Sequence, residues 1–549
     1  MNALPFADLH CHPTLYAFNR MRNSPAVEGD PGRFHAWTEL SSNVKKMAAG
    51  ARGTHYTQAN IPRLIEGNVK LAFASFTPIE KGFFIGSAHG DERPFAEELT
   101  RWIRGETPKA ALFRLVTGDI DGAAREVTAI LRNDGPLRQL VQRFVMDYPL
   151  NRVRFLSGER YDYWTELLKE YDFLKARDGE RCAAEIATPH GTRRVEGRYR
   201  LVEGPETLDE VFAADDETAL LLTIEGGHVF SVGPDLNPLP LTTMVERVQA
   251  MKEWDHPVLF LTLAHHFFNG LCGHAHSLID SADWIMDQEF GLNEDFVPDV
   301  GLTVVRELLD LDDQLRDRGG KRILIDVRHM SARARKTYYD EIVRPYNKDH
   351  AMQPGRHQRR FPKIPVIMSH CGYTGAPTLE RLIADQAHEC DRWHRGAFYA
   401  WNINLSDEDI RMVYQSEGLV GLCFDRRILG QKPGQRLPVE RARDLLIDQV
   451  LAIADVIFLD DRLDDAEKAR AWDIICIGSD FDGVIHPLEP YPTALTLQDF
   501  AEDLRRRLRE VRYTRQIDAI GVDELVEKIA WKNAYEFAMR HLPAAVGSS

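Results

Sequence analysis

The chain has 549 residues, 44% hydrophobic and 28% charged, so it can bury a large core as one elaborated domain or as two to three ordinary ones. Its formal charge of -16 and pI near 5.7 argue against a nucleic-acid or anionic-membrane surface, since both require a basic footprint. No apolar run approaches transmembrane length, and residues 1–13 lack the features of a secretory signal, so we expect a cytoplasmic protein. The seven scattered cysteines form no C-x-x-C pair, which indicates reduced thiols.

Eight short apolar runs, rich in β-formers, recur along the chain and predict strands. They cover residues 4–10, 69–76, 219–224, 258–263, 322–327, 365–369, 418–424 and 474–478. Helical patterns fall between several of them, so strand and helix alternate. This alternation favours an α/β fold of the (β/α)8 TIM-barrel type, with a doubly wound open sheet as the alternative.

Several helical segments carry start and stop signals. Thr57 can cap a short helix that Gly67 ends, and Thr303 can cap a helix over residues 301–318 that stops at a glycine pair. The apolar spacing over residues 522–542 predicts the closing helix of the fold.

The long span between the second and third predicted strands is the main departure from a simple barrel. Residues 80–217 predict a mostly helical insertion within a single-domain chain, with helical patterns at 108–116, 122–131, 137–146 and 163–174. Residues 371–401 predict an enlarged loop on the rim. The insertion suits a lid, a partner-docking surface or the interface of a homo-oligomer, and its sequence does not decide among them.

Histidines and carboxylates follow strand after strand. Because parallel strands of a barrel end on one rim, these side chains are expected to converge. The candidates are His10 and His12 after the first strand, Glu225 after the third, His265 after the fourth, His329 after the fifth, His370 after the sixth and Asp480 after the eighth. A lone histidine on an apolar strand is more often a core residue, and it is the recurrence at corresponding strand ends that predicts a site.

Imidazole and carboxylate are the usual protein ligands of zinc and related divalent ions. The five candidate ligands His10, His12, Glu225, His329 and His370 exceed what one closed structural zinc needs. Two metal ions about 3.5 to 4 Å apart can use them all, with Glu225 as the bridge.

In order along the chain, these motifs resemble the membrane dipeptidase (renal dipeptidase-like) family of the amidohydrolase superfamily. They are Asp-Leu-His-Cys-His at 8–12, Glu-Gly-Gly-His at 225–228, Leu-Thr-Leu-Ala-His at 261–265, Gly-Leu-Thr at 301–303, Ile-Asp-Val-Arg-His-Met-Ser at 325–331, Ser-His at 369–370 and Gly-Ser-Asp-Phe-Asp-Gly at 478–483. The resemblance covers residues 4–13, 57–78 and, with gaps, 218–542, including Asn533 in the final helix. It implies a metal-dependent barrel that hydrolyses dipeptides.

The resemblance also implies a role for each residue. His10 and His12 would hold one metal ion with Glu225, while His329 and His370 would hold a second that Glu225 also reaches. Asp480 would manage the proton of the metal-bridging water, whose hydroxide is the nucleophile, and His265 would stabilise the tetrahedral oxyanion. Asp326 would orient one of the metal ligands without binding the metal itself. Zinc is the favoured metal, although manganese, cobalt or iron accept the same nitrogen and oxygen donors.

Two positions depart from the family pattern. His12 stands where the family has aspartate, and metal binding is expected to survive because imidazole is a good ligand. Ile403 stands where the family has the arginine that grips the substrate's terminal carboxylate. Arg381, Arg392 or Arg395 in the rim loop could replace that guanidinium, although each is more typical of a solvated surface residue.

Three functional hypotheses follow. The leading one is an enzyme that hydrolyses dipeptides or dipeptide-like amides. It would bind a small-molecule or dipeptide substrate and no nucleic acid or membrane. The second, favoured by Ile403, is hydrolysis of a non-peptide amide, a lactone or a phosphoester by the same two-metal chemistry. The third is a catalytically silent metal-binding protein, which Asp480 disfavours because a purely structural site needs no proton acceptor.

Overall fold

The structure is a computed structural model that describes residues 4–22, 35–40, 57–84, 148, 150–188, 191–278, 288–386, 393–394, 398–431 and 437–543. Eight parallel strands close into a barrel within its main sheet. With all strands numbered in chain order, they are β1 (Phe6–Cys11), β2 (Val69–Phe76), β5 (Glu217–Glu225), β6 (Val258–Thr262), β7 (Leu324–Asp326), β8 (Ile367–Cys371), β11 (Leu419–Leu422) and β12 (Ile475–Ile477).

Closure depends on two pairings. Strand β1 lies between β2 and β12, and β2 also pairs with β5, so the sheet returns on itself without a free edge. The predicted (β/α)8 TIM barrel is confirmed, and the open-sheet alternative is wrong. Every residue of β1, β2 and β5 is buried, because helices cover the outer face and side chains fill the interior.

Four further strands lie outside the barrel. β3 (Cys182–Thr188) and β4 (Gly191–Leu201) form an antiparallel hairpin, and β4 pairs with the amino-terminal end of β5, away from the predicted site. β9 (Trp393–His394) and β10 (Phe398–Tyr399) form a short antiparallel pair within the predicted rim loop. The helical patterns at 108–116, 122–131 and 137–146 lie outside the described residues.

The helices pack around the barrel or cap its ends. The α-helices are Leu15–Met21, Ile61–Glu66, Leu150–Leu156, Tyr163–Lys175, Pro205–Ala213, His228–Ser231, Leu241–Lys252, Gly301–Leu308, Ala332–Tyr338, Arg344–His350, Gly355–Arg360, Leu379–Asp385, Asp407–Gln415, Val439–Phe458, Asp465–Ala469, Leu497–Glu510, Ile517–Ile520, Val522–Glu527 and Asn533–His541. Short 3-10 turns cover Lys81–Phe83, Arg470–Ile474 and Ala494–Thr496, and π-helical turns cover Tyr339–Val343 and Lys528–Lys532.

Two predicted helix boundaries were wrong for local reasons. Asn60 caps the helix Ile61–Glu66 by accepting from the backbone N–H of Arg63, whereas the Thr57 hydroxyl donates to Glu39. The helix that starts at Gly301 ends at Leu308, because the Asp312 carboxylate accepts two backbone N–H groups and holds the following residues in a turn.

The closing helix was predicted correctly, and it is tied to the barrel. The Asn533 side chain donates to the carbonyls of Trp472 and Ile475, which fixes the helix against the start of β12.

Among the described helices, none is both long and apolar enough to span a bilayer. The six cysteines in the described residues are all unpaired, and Cys390 lies outside them.

Candidate metal centre

The carboxyl ends of the strands bring six of the predicted side chains together. Glu225 is the last residue of β5, and His10 and His370 lie near the ends of β1 and β8. The other three follow β1, β7 and β12 within three residues. All six are buried: His10, His12, Glu225, His329, His370 and Asp480. The barrel therefore places these distant parts of the chain on one rim, as predicted.

The Glu225 carboxylate lies at the middle of this cluster. Its Oε1 is 3.4, 3.5 and 3.6 Å from the Nε2 atoms of His10, His329 and His370. Its Oε2 is 3.3 Å from His12 Nε2. Each Nε2 thus points at a carboxylate oxygen at a separation wider than a hydrogen bond, which leaves room for a cation between them.

Asp480 faces the same centre from β12. Its Oδ1 is 3.6 Å from His12 Nε2, and its Oδ2 is 3.9 Å from His370 Nε2. Both Asp480 and His329 have left-handed backbones, with φ of 61° and 65°. Non-glycine residues in this region cost about 1 kcal/mol or more each, and such strain collects at functional sites.

Gly226 allows the chain to turn directly after Glu225. Its φ is 104°, and a Cβ at this position would lie 2.2 Å from Nδ1 of His228. Only glycine accommodates both the turn and the approach of that ring. This explains the Glu-Gly-Gly-His motif in physical terms.

The electrostatics of the centre suit a cation. Burial would raise the pKa of Glu225, but His265 and His10 hold it well below its usual value, so the carboxylate is ionised. Burial would lower the pKa of His12, but Asp480 and Glu225 raise it to about 10, so these carboxylates favour a positive charge next to Nε2, which a metal ion can supply in place of the proton. Burial lowers the pKa of His329 to about 3, so that ring keeps a lone pair for a metal.

A second layer of residues fixes the imidazole rings. The Ser369 hydroxyl lies 2.9 Å from Nδ1 of His370 and donates to Asp326 at 2.6 Å. Asp326 therefore orients His370 through Ser369 rather than by direct contact. His12 Nδ1 lies 3.1 Å from the Ser75 carbonyl, which favours a ring with its proton on Nδ1 and its Nε2 free for a ligand.

His265 lies beside the cluster, with Nε2 3.5 Å from Glu225 Oε2. Its Nδ1 is 2.7 Å from Oε2 of Glu80, a buried residue that the sequence reasoning missed. His228 is also near Glu80, at 4.0 Å. Glu80 follows β2, so the rule that polar residues after strands converge would have found it.

Ile403 stands where the family resemblance expects a carboxylate-binding arginine, and its side chain is buried. Arg381 pairs with Asp385 on an exposed helix, while Arg392 and Arg395 lie outside the described residues. Arg328 was overlooked. It is 1% exposed, donates to the Ile403 carbonyl at 2.8 Å, and has a buried Nε without a hydrogen-bond partner in the part of the chain that the structure describes.

The Arg328 guanidinium makes no ion pair with any carboxylate in the described part of the chain. Burial, and then the neighbouring His10 ring and the Arg328 guanidinium, lower the pKa of His370, so the guanidinium acts on the centre. By contrast, the buried Arg335 pairs with Asp409 at 3.0 Å. A buried cation without an anionic partner is costly, and an anionic ligand would compensate it.

Several groups of these side chains have the spacing of metal ligands. They are His10 with Glu225 and His370, His10 with His12 and Asp480, Glu225 with His265 and His329, and Glu80 with His228 and His265. Nitrogen and carboxylate donors in this proportion match the preference of zinc and its neighbours. The residues present therefore fit a divalent metal centre.

Comparison with family models found no match, and comparison with curated proteins found none either. Solved structures do match. A metallopeptidase from Rhodobacter sphaeroides, bound to a phosphinate mimic of L-Ala-D-Ala, is 14% identical with a TM-score of 0.46, covering 98% of this chain and 100% of its own. A dipeptidase described as a metallopeptidase has the same identity and TM-score, with 98% and 99% covered. The probable dipeptidase PvdM from Pseudomonas aeruginosa is 12% identical, with a TM-score of 0.35 and 88% of each chain covered.

Proposed function

We propose that the protein is a metal-dependent hydrolase of the membrane dipeptidase type, acting on the amide bond of dipeptides or dipeptide-like substrates. The observation that carries this proposal is the set of four histidine Nε2 atoms within 3.3 to 3.6 Å of one buried carboxylate. His10, His12 and Glu225 would hold one divalent ion, and His329, His370 and Glu225 a second. Zinc is the expected metal.

The metal ions, when bound, would lower the pKa of water and polarise the scissile carbonyl. The protein supplies the proton transfer. Asp480 follows β12, faces the centre, and would accept the proton of the attacking water, then return it to the leaving amine. His265 directs Nε2 towards the centre and would donate to the developing oxyanion.

Arg328 gives the substrate preference a physical basis. Its guanidinium is buried, donates to the Ile403 carbonyl and has an N–H without a hydrogen-bond partner among the described residues. We therefore assign to Arg328 the recognition of a substrate carboxylate, in place of the arginine missing at 403. A free dipeptide carries such a carboxylate, whereas a neutral amide, a lactone or a carboxy-amidated dipeptide does not.

The test combines elemental analysis of purified protein with a hydrolysis panel of L,L and L,D dipeptides, their carboxy-amidated forms and non-peptide esters. Free dipeptides should be cleaved fastest, with at least two equivalents of metal bound. Equal rates for free and amidated dipeptides would argue for the second class of substrate. Bound metal without turnover of any substrate would instead support a silent metal-binding protein.

Arg328→Gln tests the assigned anchor. A hydrogen bond to a charged group contributes about 1.5 to 3 kcal/mol, so KM for free dipeptides should rise roughly 10- to 100-fold while amidated substrates change little. Arg381→Gln is the control, because its guanidinium pairs with Asp385 and is 52% exposed. An equal loss on both substrate forms would remove the carboxylate role.

A further inference from the structure

A second cluster of buried donors lies beside the proposed metal centre, made of Glu80, His228 and His265. The facing atoms of the three side chains lie within 4.8 Å of one another. Each residue is 5% exposed or less. Glu80 is held in place by the backbone N–H groups of His266 and Phe267, at 3.3 and 3.1 Å, which occupy only part of its capacity to accept.

The orientation of His228 makes this cluster unusual. Its Nε2 lies 2.8 Å from the Pro78 carbonyl, and a carbonyl can only accept, so Nε2 carries the proton of the neutral ring. Nδ1 then carries the lone pair of the ring. That atom is buried, has no hydrogen-bond partner among the described residues, and faces Glu80 Oε1 at 4.0 Å. A lone pair and a carboxylate repel each other unless a cation lies between them.

His265 approaches the same carboxylate from the other side. Its Nδ1 is 2.7 Å from Glu80 Oε2, yet the contact lacks hydrogen-bond geometry, and Nδ1 is also buried without a hydrogen-bond partner in the described part of the chain. Its Nε2 is directed the opposite way, towards Glu225. Two imidazole nitrogens that lack a hydrogen-bond partner among the described residues therefore flank one buried carboxylate.

We propose that Glu80, His228 and His265 bind a further divalent cation, separate from the ions held around Glu225. Two imidazole nitrogens and one carboxylate are a donor set that zinc accepts with water as the fourth ligand. A cation on Nδ1 leaves the proton of His265 on Nε2, on the side that faces Glu225. The site would thus fix the tautomer that lets His265 donate towards the centre.

The direct test uses zinc alone. Protein is stripped with a chelator, reloaded with Zn²⁺ and crystallised, and diffraction data are collected above and below the zinc absorption edge. We expect an anomalous peak bounded by Glu80, His228 and His265, besides those around Glu225. Peaks confined to the surroundings of Glu225 at saturating zinc would overturn the proposal.

Variants provide a second readout in solution. Glu80→Gln and His228→Asn should each bind one equivalent of zinc fewer than the wild type while keeping the ions around Glu225. His350→Asn is the matched control, since its Nε2 also lies 2.8 Å from a carbonyl and its Nδ1 is also buried without a hydrogen-bond partner, but it forms no ion pair with a described carboxylate. Its zinc content should stay at the wild-type value.

Unchanged zinc content in both folded variants, checked by circular dichroism, would contradict the proposal. The outcomes also separate this site from the proposed function. Dipeptide hydrolysis with no zinc at Glu80 removes the further cation alone. Zinc at Glu80 without hydrolysis of any substrate removes the hydrolase assignment alone.

Discussion

Asp326 and Glu225 end two barrel strands on the same rim, and both are buried, but they have different surroundings. Asp326 accepts hydrogen bonds from the Thr262 and Ser369 hydroxyls and from the backbone N–H groups of Arg328 and Ser369. Glu225 accepts a hydrogen bond from Thr77 and otherwise faces imidazole nitrogens among the described residues. The described hydrogen bonds satisfy Asp326, while Glu225 has room for a cation, and under the proposed function this difference separates a supporting carboxylate from a ligand.

Of the substitutions that test this difference, Glu225→Gln should have the largest effect on metal binding and hydrolysis. Removing the negative charge leaves the histidines without the anion that they surround, so we expect metal to be lost from the centre and hydrolysis to fall below detection. Elemental analysis and a dipeptide assay on the same preparation measure both. A variant that kept its metal ions would mean that Glu225 is not the bridge.

Asp480→Asn should separate catalysis from metal binding. The amide keeps the shape of the side chain but cannot take a proton, so turnover should fall roughly 10²- to 10⁴-fold. Metal content should remain close to that of the wild type, because the ligand histidines and Glu225 are unchanged. Full activity in this variant would remove the assigned role of Asp480.

Asp326→Asn should have a smaller effect, because it would change the position of a ligand rather than remove one. Loss of the carboxylate weakens the hydrogen bond from Ser369, which in turn orients His370. Loss of a residue that orients a metal ligand typically lowers metal affinity roughly 10- to 100-fold. Competition with a chromogenic zinc chelator measures this affinity. Asp503→Asn serves as the control, since this carboxylate is also buried but bonds to Tyr491 instead. Equal affinities in the two variants would show that Asp326 does not support the site.

Glu170 gives the smallest expected effect, on stability alone. It is buried and accepts from Thr14, and burial raises its pKa from 4.5 to about 7. The folded state therefore keeps the proton longer than the unfolded state, so this carboxyl lowers the free energy of unfolding as pH rises from 4.5 to about 7. The loss approaches about 3 kcal/mol at the upper end.

Glu170→Gln removes this dependence. The variant should gain stability relative to the wild type between pH 4 and pH 8, as measured by urea unfolding at each pH. Parallel stability curves for the two proteins would mean that Glu170 titrates normally in the folded state.

The barrel and most of the side chains that meet at its rim could be predicted from the sequence. Buried parallel strands are short apolar runs, and the polar residues that end them, such as Glu225 and His370, stand out against those runs. The helix caps were less predictable. Thr57 and Asn60 are both competent caps, and both donate to Glu39, but only the Asn60 Oδ1 atom also accepts from the backbone N–H of Arg63.

By itself, the sequence determined the alternation of strand and helix and the residue types at the strand ends, because both depend on local composition and period. Only the tertiary structure decided which donors meet which partners. Glu80 joins His228 and His265, and Arg328 reaches the carbonyl of Ile403, across large sequence separations. Such contacts depend on barrel closure and side-chain direction, which local patterns do not encode.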